Sequence, residues 1–189
     1  MNKIYFVSGV NGVGKSTIMP FLSSLLPVDK FKVHDFDERG VPEDADRNWR
    51  ISETQHWIDE GIKLAQENKS IVICGFVKVA DFPDPESPEI VKIFLDAQPE
   101  IIRQRLTKRY TKDGVFDEKQ KVIGKTIEEF ISGNIYILGQ MKKEFEELND
   151  PIIDTTNLTP EEVAKKVANI ILIIKTNRGP SSTMTIILS

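Results

Sequence analysis

The residues with the clearest potential for chemistry form a glycine-rich segment near the start of the chain. It reads Gly9-Val10-Asn11-Gly12-Val13-Gly14-Lys15-Ser16 and fits G-x-x-x-x-G-K-[ST] at every fixed position. An apolar run at 4–7 predicts a buried strand before it, and Ser16-Thr17-Ile18 opens a predicted helix. Glycines let backbone N–H groups approach an anion closely, and the positive end of a following helix points at the same place. This segment, here named the phosphate loop (residues 9–16), therefore predicts a site for the phosphates of a nucleoside triphosphate.

Two side chains of the phosphate loop have specific expected roles. Lys15 is expected to reach the β- and γ-phosphates, and the hydroxyl of Ser16 is expected to ligate Mg²⁺. The residues predicted to bind the nucleotide here are Gly9, Asn11, Gly12, Val13, Gly14, Lys15, Ser16 and Thr17.

Two carboxylates follow the second predicted strand, at 31–34. At the end of such a strand a carboxylate faces the γ-phosphate, where it can accept a proton from a hydroxyl or hold Mg²⁺ through water. We assign Asp37 to the base or acceptor contact and Asp35 to the metal, against the alternative of a solvated acidic turn. The third strand, at 70–74, offers no acid of its own and ends at Gly75, which predicts a close approach of backbone to substrate.

A predicted helix that begins at Pro99 carries a group of arginines. Arg105 and Arg109 are four residues apart and so share a helical face, which favours a role in binding phosphate. Arg103 is predicted to belong to a solvated face and to pair with Glu100. Earlier in the chain, Arg47 and Arg50 are the candidates for contact with an anionic acceptor.

Apolar runs alternate with helical patterns along the rest of the chain. Further strands are predicted at 90–95 and 152–154, and helices at 44–67, 127–148 and from Thr159 to about 174. The last two helices begin with capping-box patterns, while Pro20 predicts a kink in the first helix. Strands that alternate with helices indicate a parallel sheet, whose carboxyl ends would bring the candidate residues to one rim.

Size and composition fit a single α/β domain. The chain has 189 residues, of which 40% are hydrophobic and 29% are charged, as is usual for globular proteins. A net charge of −4 without a basic stripe argues against a nucleic-acid partner. The single cysteine, Cys74, excludes an internal disulfide and predicts a reducing, cytoplasmic location. The longest apolar stretch, 170–174, is too short to cross a bilayer, so no membrane partner is expected.

These motifs resemble the small-molecule kinases built on the P-loop fold: shikimate kinase, gluconate kinase, chloramphenicol phosphotransferase and the nucleotide kinases. The resemblance covers about residues 1–174 and implies a three-layer α/β fold, the P-loop NTPase fold. Its five-stranded parallel sheet has the order 2-3-1-4-5 and is flanked by helices, with a lid. It predicts a kinase domain at 1–175 with the lid at about 110–123. Residues 176–189 are predicted to be a disordered or non-native tail.

The same resemblance implies an ATP donor, Mg²⁺ and a small-molecule acceptor bound over the rim. One arginine of the pair Arg105 and Arg109 would stack on the adenine, and one would neutralise the transferring phosphoryl group. Thr155 falls in a segment, 154–157, that resembles the loop touching the adenine edge through its backbone.

The expected function is therefore Mg²⁺-dependent transfer of the γ-phosphate of ATP to a small acceptor, with Lys15, Asp37, Arg105 and Arg109 as catalytic residues. A hydroxyl acceptor is favoured over a nucleoside monophosphate, because the Asp-Arg pair that nucleotide kinases usually show after the third strand is missing. The alternative is a nucleotide-binding or slowly hydrolysing regulatory protein without a small-molecule acceptor. The absence of Walker-B and switch signatures counts against that alternative.

Overall fold

A five-stranded parallel sheet with helices on both faces organises the chain. The computed structural model describes residues 3–112, 115–116 and 126–176. The strands are β1 Ile4–Ser8, β2 Phe31–Asp35, β3 Ser70–Gly75, β4 Ile90–Asp96, β5 Thr111–Lys112, β6 Val115–Phe116 and β7 Ile152–Asp154. The helices are α1 Lys15–Leu25, α2 Arg47–Gln66, α3 Pro99–Tyr110, α4 Ile127–Glu147 and α5 Pro160–Thr176, with a 3₁₀ turn at Val79–Asp81.

The strand order confirms the predicted topology. The sheet runs β2-β3-β1-β4-β7, which is the order 2-3-1-4-5 when β7 is counted as the fifth strand. All four pairings are parallel, and β1 lies at the centre between β3 and β4. Every residue of β1 and β3 is buried, because helices cover the sheet on both faces.

Side chains that alternate along β1 enter two separate cores. Tyr5 and Val7 pack in a large core with residues of α1, α4 and α5. Ile4 and Phe6 point to the other face and pack with Trp57 of α2. Because successive side chains of a strand point to opposite faces, one short strand anchors both helical layers.

Local capping signals fix where the helices begin. Thr126 accepts a hydrogen bond from the Glu129 amide while the Glu129 carboxylate accepts one from the Thr126 amide, so the predicted capping box of α4 is present. Helix α2 begins at Arg47 rather than near 44, because the Asp46 carboxylate caps it by accepting from the Trp49 amide at 2.9 Å. Pro20 lies inside α1, which nonetheless continues to Leu25.

The predicted lid is described only in part. Strands β5 and β6 pair antiparallel, with Thr111 opposite Phe116 and Lys112 opposite Val115. The predicted lid residues 113–114 and 117–123, and all but the first residue of the predicted tail, lie outside the described residues. Within the described ranges, no helix has the length and apolar character needed to cross a membrane.

Candidate nucleotide-binding site

A cavity of about 800 Å³ opens at the carboxyl ends of the parallel strands. Residues from five separate parts of the chain line it, as the predicted topology requires. Those predicted from the sequence are Asn11, Gly12, Val13, Gly14, Lys15, Ser16, Thr17, Asp35, Asp37, Arg105, Arg109 and Thr155. Gly9 is not among the lining residues; an added Cβ there would meet the Leu95 carbonyl oxygen and a Val13 methyl group at 2.8 Å.

The backbone of the phosphate loop depends on two glycines with positive φ. Gly12 has φ +90° and Gly14 has φ +105°, a region that other residues rarely adopt. Gly14 directly precedes α1, and no side chain caps that helix. Among the described residues, the amides of 12–14 donate to no protein acceptor. They are thus available to an anion at the positive end of α1.

Lys15 folds back over its own loop. Its Nζ donates hydrogen bonds to the carbonyl oxygens of Gly9 and Val10, at 2.7 and 2.9 Å. Burial, with a smaller contribution from the charge of Arg109, lowers the pKa of Lys15 to about 8, against the opposing effect of Cys74, Asp37 and Asp35. The ammonium group therefore lies beside the loop. A phosphate bound there would stabilise its charged form.

Ser16 and Asp35 lie together as a metal site requires. The Ser16 hydroxyl donates to Asp35 Oδ2 at 3.4 Å, and Asp35 Oδ1 accepts from the Asp37 amide at 2.9 Å. A hydroxyl and a carboxylate are the oxygen donors that Mg²⁺ prefers, and Mg²⁺ commonly uses one or two protein ligands with substrate phosphates. No group of three or more His, Cys, Asp or Glu in the described chain suits a metal by itself. The residues present therefore fit Mg²⁺ that arrives with a nucleotide.

Asp37 lies beside Asp35 at the same rim. Shielding from water and the neighbouring Asp35 charge raise the pKa of Asp37, while Lys15 and Arg50 oppose the shift. A carboxylate whose pKa moves towards neutrality is a better proton acceptor for a hydroxyl. Its position and its electrostatic surroundings are both compatible with the predicted base.

Arg105 donates its hydrogen bonds to oxygen atoms of the protein. Its guanidinium donates to the Gly12 carbonyl at 3.2 Å and to the Thr155 hydroxyl and carbonyl at 3.1 and 2.9 Å. The Thr155 hydroxyl in turn donates to the Val13 carbonyl at 3.2 Å. Thr155 was expected to act through its backbone alone, but its buried side chain joins the segment after β7 to the phosphate loop.

The other two arginines of α3 differ in their surroundings. Arg109 lines the cavity, and its guanidinium carbon lies 5.6 Å from the centre of the Tyr110 ring. Arg103 pairs with Glu128 of α4 at 2.6 Å, so the prediction of a surface ion pair is confirmed but the predicted partner, Glu100, is wrong. Glu128 is 25 residues away in sequence, and only the packing of α3 against α4 brings it near.

Gly75 lines the cavity, as its predicted approach to substrate requires, and its lack of a side chain also makes room for a neighbouring residue. A Cβ at this position would lie 2.1 Å from the Cβ of Phe36, so the close approach comes from a neighbouring protein residue. The adjacent Cys74 is buried, and burial raises the pKa of its thiol to about 12. Such a thiol is a core group rather than a nucleophile.

The two candidate arginines for the acceptor flank a buried carboxylate. The Nε atoms of Arg47 and Arg50 each lie 3.8 Å from an oxygen of Asp81, whose side chain is 1% exposed. The Arg50 guanidinium also lies over the ring of Phe76, 4.8 Å from its centre, and Phe76 lines the cavity. Their charges are therefore balanced in part by Asp81.

Sequence reasoning missed Asn134 of α4. Its Oδ1 accepts from both the backbone and the side-chain amide of Asn11, at 3.2 Å each. The two residues are 123 positions apart, and no local pattern marks a single asparagine in a long amphipathic helix. The backbone N–H of Asn11, a residue predicted to bind the nucleotide, thus donates to a protein acceptor.

Sequence comparison finds relatives that carry the provisional name adenylate kinase. One from Pyrococcus abyssi is 28% identical over 168 residues, which cover 87% of this chain and 82% of the relative. Another from Thermococcus kodakarensis is 29% identical over 169 residues, covering 89% of this chain and 85% of the relative. No family model matches the sequence.

Solved kinase structures share the fold. A shikimate kinase from Acinetobacter baumannii in complex with shikimate has a TM-score of 0.61 at 17% identity, covering 94% of this chain and 96% of that chain. A sugar kinase from Janibacter has a TM-score of 0.53 at 19% identity, covering 92% and 96%. At such low sequence identity, these structural similarities indicate the fold alone.

The sheet order and the glycine-rich loop between its central strand and α1 define a P-loop nucleotide-binding fold. The sequence relatives with that provisional name are kinases by name. The chain is thus similar in sequence to relatives named as kinases, and it shares its fold with solved kinase structures.

Proposed function

We propose that the protein transfers the γ-phosphoryl group of ATP to a hydroxyl group of a small-molecule acceptor. Its similarity to kinases supports an ATP-dependent phosphotransferase and does not favour the regulatory alternative. The observation that carries the proposal is the approach of Ser16 to Asp35 at 3.4 Å, beside Asp37. It puts oxygen ligands for a metal and a candidate base at the end of the phosphate loop.

The phosphate end of the site is proposed to neutralise charge. The amides of the phosphate loop and the Lys15 ammonium bind the β- and γ-phosphates, and Arg109 faces the same end of the cavity. Mg²⁺ held by Ser16 and Asp35 would neutralise charge on the transferring group. Arg105 shapes the nucleotide end through its bonds to Gly12 and Thr155.

The acceptor end is proposed to lie at Asp37 and Phe76, which line the same cavity as the phosphate loop. In this proposal Asp37 accepts the hydroxyl proton as the acceptor oxygen bonds to the γ-phosphorus. The bond from that phosphorus to the bridging oxygen breaks, and ADP leaves. The raised pKa of Asp37 supports its role as the proton acceptor.

A nucleoside monophosphate is the second candidate acceptor. The provisional names of the sequence relatives favour it, since they are named adenylate kinases. The absence of an Asp-Arg pair after β3 favours the hydroxyl instead, because the chain there reads Cys74-Gly75-Phe76-Val77-Lys78. Consumption of ATP against AMP, other nucleotides, nucleosides, sugar acids and aminoglycoside-like alcohols separates these candidates.

The variant Asp37→Asn tests the proposed base. We expect transfer to the acceptor to fall by about a hundredfold or more, because a general base typically contributes that much. Binding of Mg-ATP, measured by calorimetry, should change little, since Asp35 and Ser16 remain. The control Asp59→Asn removes an exposed carboxylate on α2 and should leave both quantities unchanged. Undiminished transfer by Asp37→Asn would contradict this role.

A further inference from the structure

The phosphate loop is anchored from outside by a helix that begins after the predicted lid. Asn134 of α4 is only 8% exposed, and its Oδ1 accepts both amide donors of Asn11 at 3.2 Å. One side-chain oxygen thus fixes both the backbone and the side chain of a single loop residue. Such a contact restrains the peptide immediately before Gly12.

The orientation of the Asn134 side chain is itself determined by its neighbours. Its Nδ2 donates to the carbonyl of Phe130, one turn earlier in α4, at 2.9 Å. The oxygen must therefore face Asn11. The Phe130 ring packs edge-on against Tyr110 at the end of α3, with ring centres 5.3 Å apart. Packing between α3 and α4 thus supports the turn that carries the anchor.

We propose that Asn134 is a positioning residue for nucleotide binding, which holds Asn11 so that the following amides stay directed at the phosphates. The proposal rests on the nucleotide-binding part of the proposed function and not on the transfer step. Asn134 itself is not among the residues that line the cavity. It occupies the Asn11 amide and leaves the amides of residues 12–14 for the anion.

We expect this positioning to matter because a glycine-rich backbone has more conformational freedom to lose than other backbones. Gly12 and Gly14 both adopt positive φ, and glycine loses more conformational freedom on ordering than other residues. A loop that is already held in its binding shape loses less entropy when the anion arrives. Arg105 and Thr155 restrain the carbonyls of Gly12 and Val13, but only Asn134 restrains the N–H side of the loop among the described residues.

The test compares affinities for Mg-ATP and for inorganic triphosphate, which contacts the loop without a base. We expect Asn134→Ala to weaken both by the same factor, about tenfold, as the loss of two hydrogen bonds predicts. Gln140→Ala removes an exposed amide from the same helix and should change neither affinity. Wild-type affinity for triphosphate in Asn134→Ala, or an equal loss in Gln140→Ala, would overturn the proposal.

A double-mutant cycle separates positioning from general destabilisation. Asn11→Ala removes one of the two bonds and should cost about threefold in triphosphate affinity. The double variant should bind no worse than Asn134→Ala, because both changes remove the same contact. Additive losses of affinity in the double variant would overturn the proposal. If Asn134→Ala fails to fold, Asn11→Ala becomes the test, and a wild-type affinity for triphosphate in that variant would overturn the proposal. A wild-type protein that binds triphosphate but phosphorylates no acceptor contradicts the proposed function and leaves this inference standing.

Discussion

The ammonium group of Lys15 lies beside the phosphate loop and donates hydrogen bonds to the carbonyl oxygens of Gly9 and Val10. Burial lowers its pKa to about 8, so in the free protein it is only partly charged above that pH. A triphosphate favours the charged form and raises the pKa in the complex. We therefore expect nucleotide binding to be coupled to proton uptake.

We expect the affinity for Mg-ATP to fall as the pH rises above about 8, because the free protein must then take up a proton to bind. Calorimetry between about pH 7.5 and pH 9.5, in buffers with different ionisation enthalpies, measures that uptake directly. Lys15→Arg is the matched control, since arginine stays protonated throughout this range. Its affinity should be independent of pH, and equal pH dependence in both proteins would contradict the assignment.

Helix α4 connects the predicted lid region to the phosphate loop. Its first turn is fixed by the reciprocal bonds of Thr126 and Glu129, and Glu128 binds Arg103 of α3. Two turns into the helix, Asn134 contacts the phosphate loop. The beginning of this helix thus supports the part that contacts the site.

The Thr126→Ala variant should lose about 1 kcal/mol of stability, because it removes the oxygen that caps the Glu129 amide. For a chain of this size that corresponds to a decrease of about 2–4 °C in Tm. Thermal unfolding followed by circular dichroism measures it. Thr126→Ser keeps the hydroxyl and should unfold within about 1 °C of the wild type. A wild-type Tm in Thr126→Ala would show that tertiary packing alone holds the helix end.

At the scale of the whole molecule, the site exists only where several elements meet. The phosphate loop, the end of β2, helix α3 and the segment after β7 all line one cavity. Contacts such as Arg105 to Thr155 and Thr155 to Val13 cross between them. A nucleotide that fills this cavity contacts parts of the fold that separate on unfolding, so its binding stabilises the native state.

Mg-ATP at about 100 times its Kd should raise the stability by about 2.7 kcal/mol, which shifts Tm by about 5–10 °C. Differential scanning fluorimetry with increasing nucleotide measures the shift. Lys15→Ala should remove most of it, because the phosphate contacts are lost. A full shift in that variant would mean that ATP stabilises the protein from a different place.

Local signals explain how much of the fold is predictable. The parallel strands and the capping box of α4 follow from apolar runs and near-neighbour patterns, whereas the order of the strands was implied by the resemblance to P-loop kinases; all three are confirmed. The predicted start of α2 was early because helical spacing alone does not distinguish the capping residue, Asp46, from the first turn. Glu100 was a reasonable partner for Arg103 within α3, yet Glu128 replaces it through helix packing.

The sequence by itself determined the phosphate loop, its position after the central strand and the convergence of Asp35 and Asp37 on the same rim. These depend on residue types a few positions apart and on the rule that parallel strands end at one edge. Only the tertiary structure decided that Asn134 holds Asn11, that Arg105 binds Gly12 and Thr155, and that Gly75 makes room for Phe36. Such contacts join residues far apart in the chain, so they depend on how the elements pack rather than on any local pattern.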